Sequence, residues 1–181
     1  LCARCLRAPP SFELARSAGR YDGSLRELIH AFKYEGRRIL GPPLARLMRE
    51  AGSGLFDGAA AVVPVPLHPW RQLRRGFNQA DDLAQHLGLP VWRVLRRSRL
   101  GRAQAGLGAD TRGPNAQGAY SAWTWPALVP GDRFSRRLTG ATVILVDDVM
   151  TTGATMEACS RVLLGAGVKS VRGLTVARAA K

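Results

Sequence analysis

The 181-residue chain has only 3 cysteines, 3 histidines and 13 acidic residues against 27 lysines and arginines, and each shortage closes off a class of protein. A small, odd number of cysteines excludes a secreted scaffold held together by disulfides. No apolar run approaches the roughly 18 residues that a membrane-spanning helix needs, so no membrane insertion is expected. The opening stretch from Leu1 to Cys5 lacks the architecture of a signal peptide, and a cytoplasmic location is expected. A Walker A loop and a dinucleotide fingerprint are both missing, as are helix-turn-helix, zinc-finger-repeat and RNP motifs. The shortage of acid leaves a formal net charge of +14. That charge points to an anionic partner without separating nucleic acid from a phosphorylated small molecule. What is present suffices for a buried core: 46% of residues are hydrophobic and 22% charged, which excludes the composition of a disordered chain. One domain is the expectation at this length.

Residues 1–20 read as an N-terminal segment. Cys2 and Cys5 form a Cys-x-x-Cys pair there, half of the four ligands that a tetrahedral structural Zn²⁺ takes. The chain does not begin with Met, and it is expected to be processed or a piece of a longer product. Residues 21–50 read as helical, with Leu25, Leu28, Ile29 and Phe32 at spacings of three and four, Asp22 as a cap and a turn near Tyr34–Arg37. Ala59 to Val65 reads as a buried strand closed by Pro64 and Pro66, and Asn78 to Leu87 as a helix. Arg93, Arg96, Arg97, Arg99 and Arg102 then put five arginines into ten residues. The long polar loop after them is of a kind that is often functional. Residues 123–137 carry no clear period. The end of the chain reads strand, loop, helix and strand: Ala141 to Val146, Thr155 to Leu164 with Met156, Cys159 and Leu163 inward, and Val171 to Val176. That is a βαβ unit and hence a parallel sheet.

The chemistry-bearing stretch runs from Val143 to Thr155. An apolar strand delivers Asp147 and Asp148 to its carboxyl end, where ligands of open α/β sheets bind. The turn Thr151-Thr152-Gly153 leads into a helix N-terminus, whose N–H groups and dipole favour an anion. Gly153 permits close approach of the backbone, and the threonine hydroxyls add donors. Two carboxylates accept hydrogen bonds from paired sugar hydroxyls. A phosphate cradle beside a diol reader describes a ribose 5-phosphate. Upstream, the loop after Pro66, with Leu67 and His68, can turn peptide N–H groups toward an anion. Arg71, Arg74 and Arg75 stand just behind it with forks suited to pyrophosphate.

The Val143–Thr155 pattern resembles the phosphoribosyl-pyrophosphate (PRPP) signature of type I phosphoribosyltransferases. Val63-Pro64-Val65-Pro66-Leu67-His68 with Arg74-Arg75-Gly76-Phe77-Asn78-Gln79, and Leu28-Ile29-His30-Ala31-Phe32-Lys33-Tyr34 upstream, resemble the ComF proteins, which are linked to DNA uptake in natural competence. The resemblance implies an α/β fold of the type I phosphoribosyltransferase class: a mostly parallel central sheet flanked by helices, a small hood from residues 21–50 within a domain of residues 21–181, and the remnant of a zinc ribbon. It implies Mg²⁺-dependent displacement of pyrophosphate from PRPP by an unknown acceptor. In that assignment Asp147, Asp148, Val149, Thr151, Thr152, Gly153, Ala154 and Thr155 hold ribose and 5-phosphate, with the two aspartates as catalytic candidates. Leu67, His68, Arg71 and Arg75 hold pyrophosphate. Gln104, Arg112 and Asn115 belong to a flexible lid over residues 98–118, and Lys33 and Tyr34 are candidates to line the acceptor site. Cys2 and Cys5 are the zinc candidates. The competing expectation is a non-catalytic module that senses PRPP or a nucleotide, or that contacts single-stranded DNA or competence-machinery proteins through the arginine cluster.

Overall fold

The computed structural model describes residues 9–97, 120–122 and 137–179. Cys2, Cys5, Arg99, Arg102 and the lid candidates Gln104, Arg112 and Asn115 lie outside the described residues, as does nearly all of 123–137. A four-stranded sheet forms the centre, in the order β1 (Leu14–Arg20), β6 (Ser170–Arg178), β5 (Thr142–Met150), β2 (Ala61–Pro64). Every pairing in it is parallel. A separate antiparallel ribbon joins β3 (Leu95–Arg97) to β4 (Tyr120–Ala122).

Helices cover both faces of the sheet, and the alternation of strand side chains shows how. Ile144 and Val146 of β5 pack with Val62, Leu174 and Val176 against Ile29, Phe32, Leu44, Met48 and Leu83. Those last five come from α1 (Gly23–Tyr34), α2 (Gly41–Ala51) and α4 (Gln79–Gln85). Val143 and Leu145, one residue out of phase, pack on the other face with Met156, Cys159 and Leu163 of α5 (Ala154–Gly165) and with Leu95 and Tyr120 of the ribbon. A strand buried on both faces reads as a continuous apolar run, which is what Val143 to Val146 is. The short α3 (Pro69–Arg75) follows the loop after β2.

Three elements differ from the sequence reading. Strand β1 lies in the stretch read as an N-terminal segment, yet it pairs with β6 along Leu14–Arg20, and Ser17 shares a 2.7 Å hydroxyl contact with Thr175. Its sequence has few β-branched residues, so pairing with the sheet decides its state rather than propensity. Asp22 occupies the N-cap of α1, but its side chain makes no cap hydrogen bond; it is paired with Arg20 at 3.1 Å. Strand β5 continues past Val146 to Met150, carrying both aspartates inside it through pairing with β6.

Candidate functional site

The site lies where β5 outruns its neighbour. Pro64 of β2 sits opposite Val146, and the last bond between these two strands runs from the N–H of Val65 to the carbonyl of Val146 at 2.9 Å. Beyond that point Asp147 to Met150 pair only with β6, so the β2 side of the strand end opens toward the loop of Leu67 and His68. This is the position at which open parallel sheets bind ligands.

Because Asp147 and Asp148 lie within the strand, the pleat sends them to opposite sides. The expectation of two carboxylates side by side on one diol is corrected accordingly. Asp148 falls on the Ile144–Val146 side, where Lys33 Nζ meets its Oδ1 at 2.8 Å with both side chains mostly buried, 11% and 15% exposed. Asp147 falls on the side of Tyr120 and Cys159, and its charge adds to the burial that makes both of them weaker acids. Its Oδ1 accepts the N–H of Asp148 at 2.8 Å. The Asp147 carboxyl is pushed up from 3.8 to about 8, first by desolvation and then by the charge of Asp148; the Asp148 N–H and Lys33 act in the opposite direction. Perturbed acids of this kind cluster at functional sites.

After β5 the chain turns through Thr151 and Thr152, both exposed, to Gly153. Gly153 is the N-cap of α5 with φ of +79°, a left-handed conformation open to glycine at little cost. Thr152 Oγ1 accepts the N–H of Ala154 at 3.3 Å. Tyr120 bonds the side chain of Thr155, tying the β3–β4 ribbon to the first turn of α5. Val149 is partly buried against the core cluster that holds Val176 and Ala177 of β6.

On the opposite wall, His68 caps α3, its Nδ1 accepting the N–H of Trp70 at 3.3 Å. His68, Trp70, Arg71 and Arg97 line an open cleft of about 400 Å³. Arg75 is engaged within the protein: it donates to Gln79 Oε1 at 2.9 Å and to the Tyr34 hydroxyl at 3.0 Å, and stacks over the Tyr34 ring at 4.7 Å. Asn78 caps α4 and holds the loop by donating to the Val65 carbonyl at 3.1 Å.

The structure thus brings Asp147, Asp148 and the 151–155 turn together at one strand end, with the Leu67–Arg75 segment following the adjoining strand. Sequence reasoning missed the partners that organise them: Lys33 on Asp148, Tyr34 on Arg75, and Tyr120 on Thr155. It also missed the cleft position of Trp70, whose signal was a large apolar residue directly before Arg71 in the segment after β2. Of the arginine cluster, Arg93 is held by Asp81 at 2.6 Å, Arg96 donates to Ser121 at 3.0 Å, and Arg97 lies over the Tyr120 ring at 5.4 Å.

Residues 73–181 match the phosphoribosyl transferase domain, and the parallel sheet with its strand-end site has the form of the type I enzymes of that class. Within the class, the chain belongs to the ComF family. Over 98% of its length it is 35% identical to Competence protein F of Haemophilus influenzae, covering 78% of that protein. Over 94% of its length it is 32% identical to the DNA utilization protein YhgH of Escherichia coli strain K12, covering 74% of it. Among solved structures, the allosteric regulatory enzyme of purine biosynthesis aligns with 81% of this chain and 30% of its own, at 17% identity and a TM-score of 0.43. That likeness is too loose to bear on function.

Proposed function

We propose that the protein binds PRPP and transfers its 5-phosphoribosyl group to an acceptor with release of pyrophosphate, in a Mg²⁺-dependent reaction that serves DNA uptake. The observation that carries this reading is the joined run from β5 through Asp147, Asp148 and the 151–153 turn to the N-terminus of α5. Backbone N–H groups and the positive end of the helix dipole suit the 5-phosphate there, and the carboxylates suit the ribose hydroxyls. Arg71 and the peptide groups of the 67–68 loop suit the pyrophosphate. Membership of the ComF family supports the link to competence.

In the reaction, the bond from ribose C1 to the pyrophosphate oxygen breaks and one from C1 to the acceptor forms. Positive charge grows on the ring and negative charge on the leaving group. Preorganised donors at the leaving group stabilise that separation. Each carboxylate, from its own side of the strand end, accepts a separate hydroxyl. Among the described residues no group of three or more His, Cys, Asp or Glu is placed to hold a metal. That fits Mg²⁺ bound chiefly by substrate phosphates and water, with the strand-end carboxylates nearby. When bound, it neutralises charge on the pyrophosphate. Zn²⁺ at Cys2 and Cys5 belongs to the same proposal, outside the described residues.

A second reading, a non-catalytic module that contacts single-stranded DNA, draws on Trp70, 70% exposed beside Arg71 and Arg97, since exposed aromatics among cations stack bases. One experiment separates the two. Pyrophosphate release is followed on a nucleobase panel with PRPP, with and without Mg²⁺, and calorimetry compares the parent with Asp147→Asn/Asp148→Asn. Mg²⁺-dependent release that the double variant abolishes is the expected result. PRPP binding without release on any base, together with salt-sensitive DNA binding lost in Trp70→Ala, would support the module instead. Absence of PRPP binding in the parent would sink the transferase.

A further inference from the structure

The last turn of α1 reaches both walls of the site through two consecutive residues. Lys33 pairs with Asp148 at 2.8 Å, and Tyr34 bonds and stacks on Arg75 at 3.0 Å and 4.7 Å. Both contacts depend on how α1 is seated. Phe32 is fully buried, and its ring meets that of Phe77 edge-on at 5.4 Å, the ring just beyond Arg75 and Gly76. Lysine is seldom buried without a partner, and burying an ion pair is not in itself a gain in stability. A pair this enclosed, at the mouth of a ligand site, calls for another reason to exist.

Taking the phosphoribosyl reading as its basis, we propose that Lys33 and Tyr34 are positioning residues for the two anchors of the ligand. Lys33 fixes the Asp148 carboxylate so that its remaining lone pairs face a ribose hydroxyl. Tyr34 fixes the Arg75 guanidinium so that its remaining N–H groups face pyrophosphate. Neither residue has to touch the ligand. Asp148 Oδ1 is taken by the ammonium, which leaves Oδ2 as the hydroxyl acceptor. Arg75 spends one terminal nitrogen on Gln79 and the other on Tyr34, so its plane is set from both ends.

The two halves predict different losses. With Mg²⁺ present, calorimetry is run with PRPP, pyrophosphate, ribose 5-phosphate and 2-deoxyribose 5-phosphate on the full chain. The parent is expected to prefer ribose 5-phosphate to the deoxy sugar. Lys33→Met is expected to weaken PRPP about tenfold or more and to erase that preference, with pyrophosphate binding unchanged. Lys33→Arg restores most of the preference. Tyr34→Phe is expected to weaken pyrophosphate about threefold and to leave the sugar preference intact. Because Lys33→Met strands a buried carboxylate, the same change is also made on an Asp148→Asn background. There no charge is left unpaired, and no further loss in PRPP affinity is expected. Additive losses on that background would mean that Lys33 binds the ligand directly, and would overturn the proposal. An equal loss for all four ligands would reduce Lys33 to a structural role and overturn it too. A parent that binds PRPP while Lys33→Met keeps its sugar preference sinks the positioning role alone. A parent that does not bind PRPP sinks the phosphoribosyl reading and this proposal with it.

Discussion

Two adjacent aspartates in one strand are expected to respond in opposite directions to the same substitution. The Asp147 carboxyl lies above its unfolded value, so over the interval between the two values the folded chain holds a proton that the unfolded chain has lost. The stability this supplies is complete below about pH 4 and is withdrawn as pH rises through about 8. Above about pH 4 the unfolded chain ionises at Asp147 while the folded chain still holds the proton, so the residue works increasingly against folding as pH rises toward about 8. Each unit of upward shift is equivalent to about 1.4 kcal/mol. Asp147 keeps part of its surface open to solvent, so most of the full shift is screened, and Asp147→Asn is expected to gain about 1–2 kcal/mol at pH 8. For a chain of this size that raises the melting temperature by about 2–8 °C. The amide oxygen can still accept the Asp148 N–H, so the local turn is kept. Asp148→Asn removes the charge facing a mostly buried Lys33 and is expected to lose about 1–3 kcal/mol. Urea unfolding of the parent and both variants from about pH 4 to about pH 9, read as midpoint shifts at constant slope, tests this. The gain for Asp147→Asn should be near zero at the acid end and grow toward the alkaline end. A gain that shrinks with rising pH, or two variants of the same sign at pH 8, would refute the opposed placement of the two side chains.

Other substitutions probe single contacts. Gly153→Ala places a side chain at φ of +79° with only Met150 Sδ within 4 Å, at 3.9 Å, so its cost is conformational rather than steric. It should lower stability by about 1–2 kcal/mol and weaken ribose 5-phosphate binding, seen by urea unfolding and calorimetry. Arg38 donates to the mostly buried Asp82 at 2.9 Å and lies over the Phe77 ring at 5.3 Å. Arg38→Ala should therefore lower the urea midpoint, since it leaves that carboxylate only His86 Nε2, at 3.8 Å. In Gly173→Ala the new methyl would meet Ala15 Cβ at 3.0 Å and Met156 Sδ at 3.1 Å in the sheet interior. A loss of about 1–3 kcal/mol from overpacking is expected there. PRPP affinity measured by calorimetry should stay that of the parent.

The sequence was most legible where one segment settles its own structure. The period in Leu25 to Phe32, the β-branched run from Val143 and the inward set Met156, Cys159 and Leu163 recover α1, β5, α5 and the parallel β5–β6 pair, because burial of a face dictates spacing. Strand β1 was invisible because Leu14 to Arg20 carries no such pattern; β6 makes it a strand by lending it hydrogen bonds. The acidic pair could be found, but its geometry could not. Whether Asp147 and Asp148 share a side depends on where β5 stops, and pairing with β6 extends the strand to Met150. Once it does, the two-residue period alone assigns Lys33 to Asp148. Similarly, Arg93 reads as free charge in sequence and is neutralised by Asp81, which only the packing of α4 brings near.

The scarcity of acid gives an independent route to the same strand end. With 13 acidic residues among 27 cations, carboxylates are the limiting partner, and most of those described are paired: Glu13, Asp22, Glu35, Glu50, Asp81, Asp82, Asp148 and Glu157 each have a cation within 4.0 Å. Among the described residues the exceptions are Glu27, Asp57 and Asp147, and the first two are exposed. Among the described residues Asp147 is thus the half-buried carboxylate with no cation within that distance. Folding alone gives no reason for that, since a guanidinium there would relieve the desolvation. A hydroxyl-bearing ligand, as proposed, would give one, because a bidentate guanidinium at Asp147 would occupy both oxygens that the ligand would use. On the proposed reading the basic wall would draw the phosphates, while Asp147, alone among the described half-buried carboxylates in having no cation within that distance, would be left to a ligand hydroxyl.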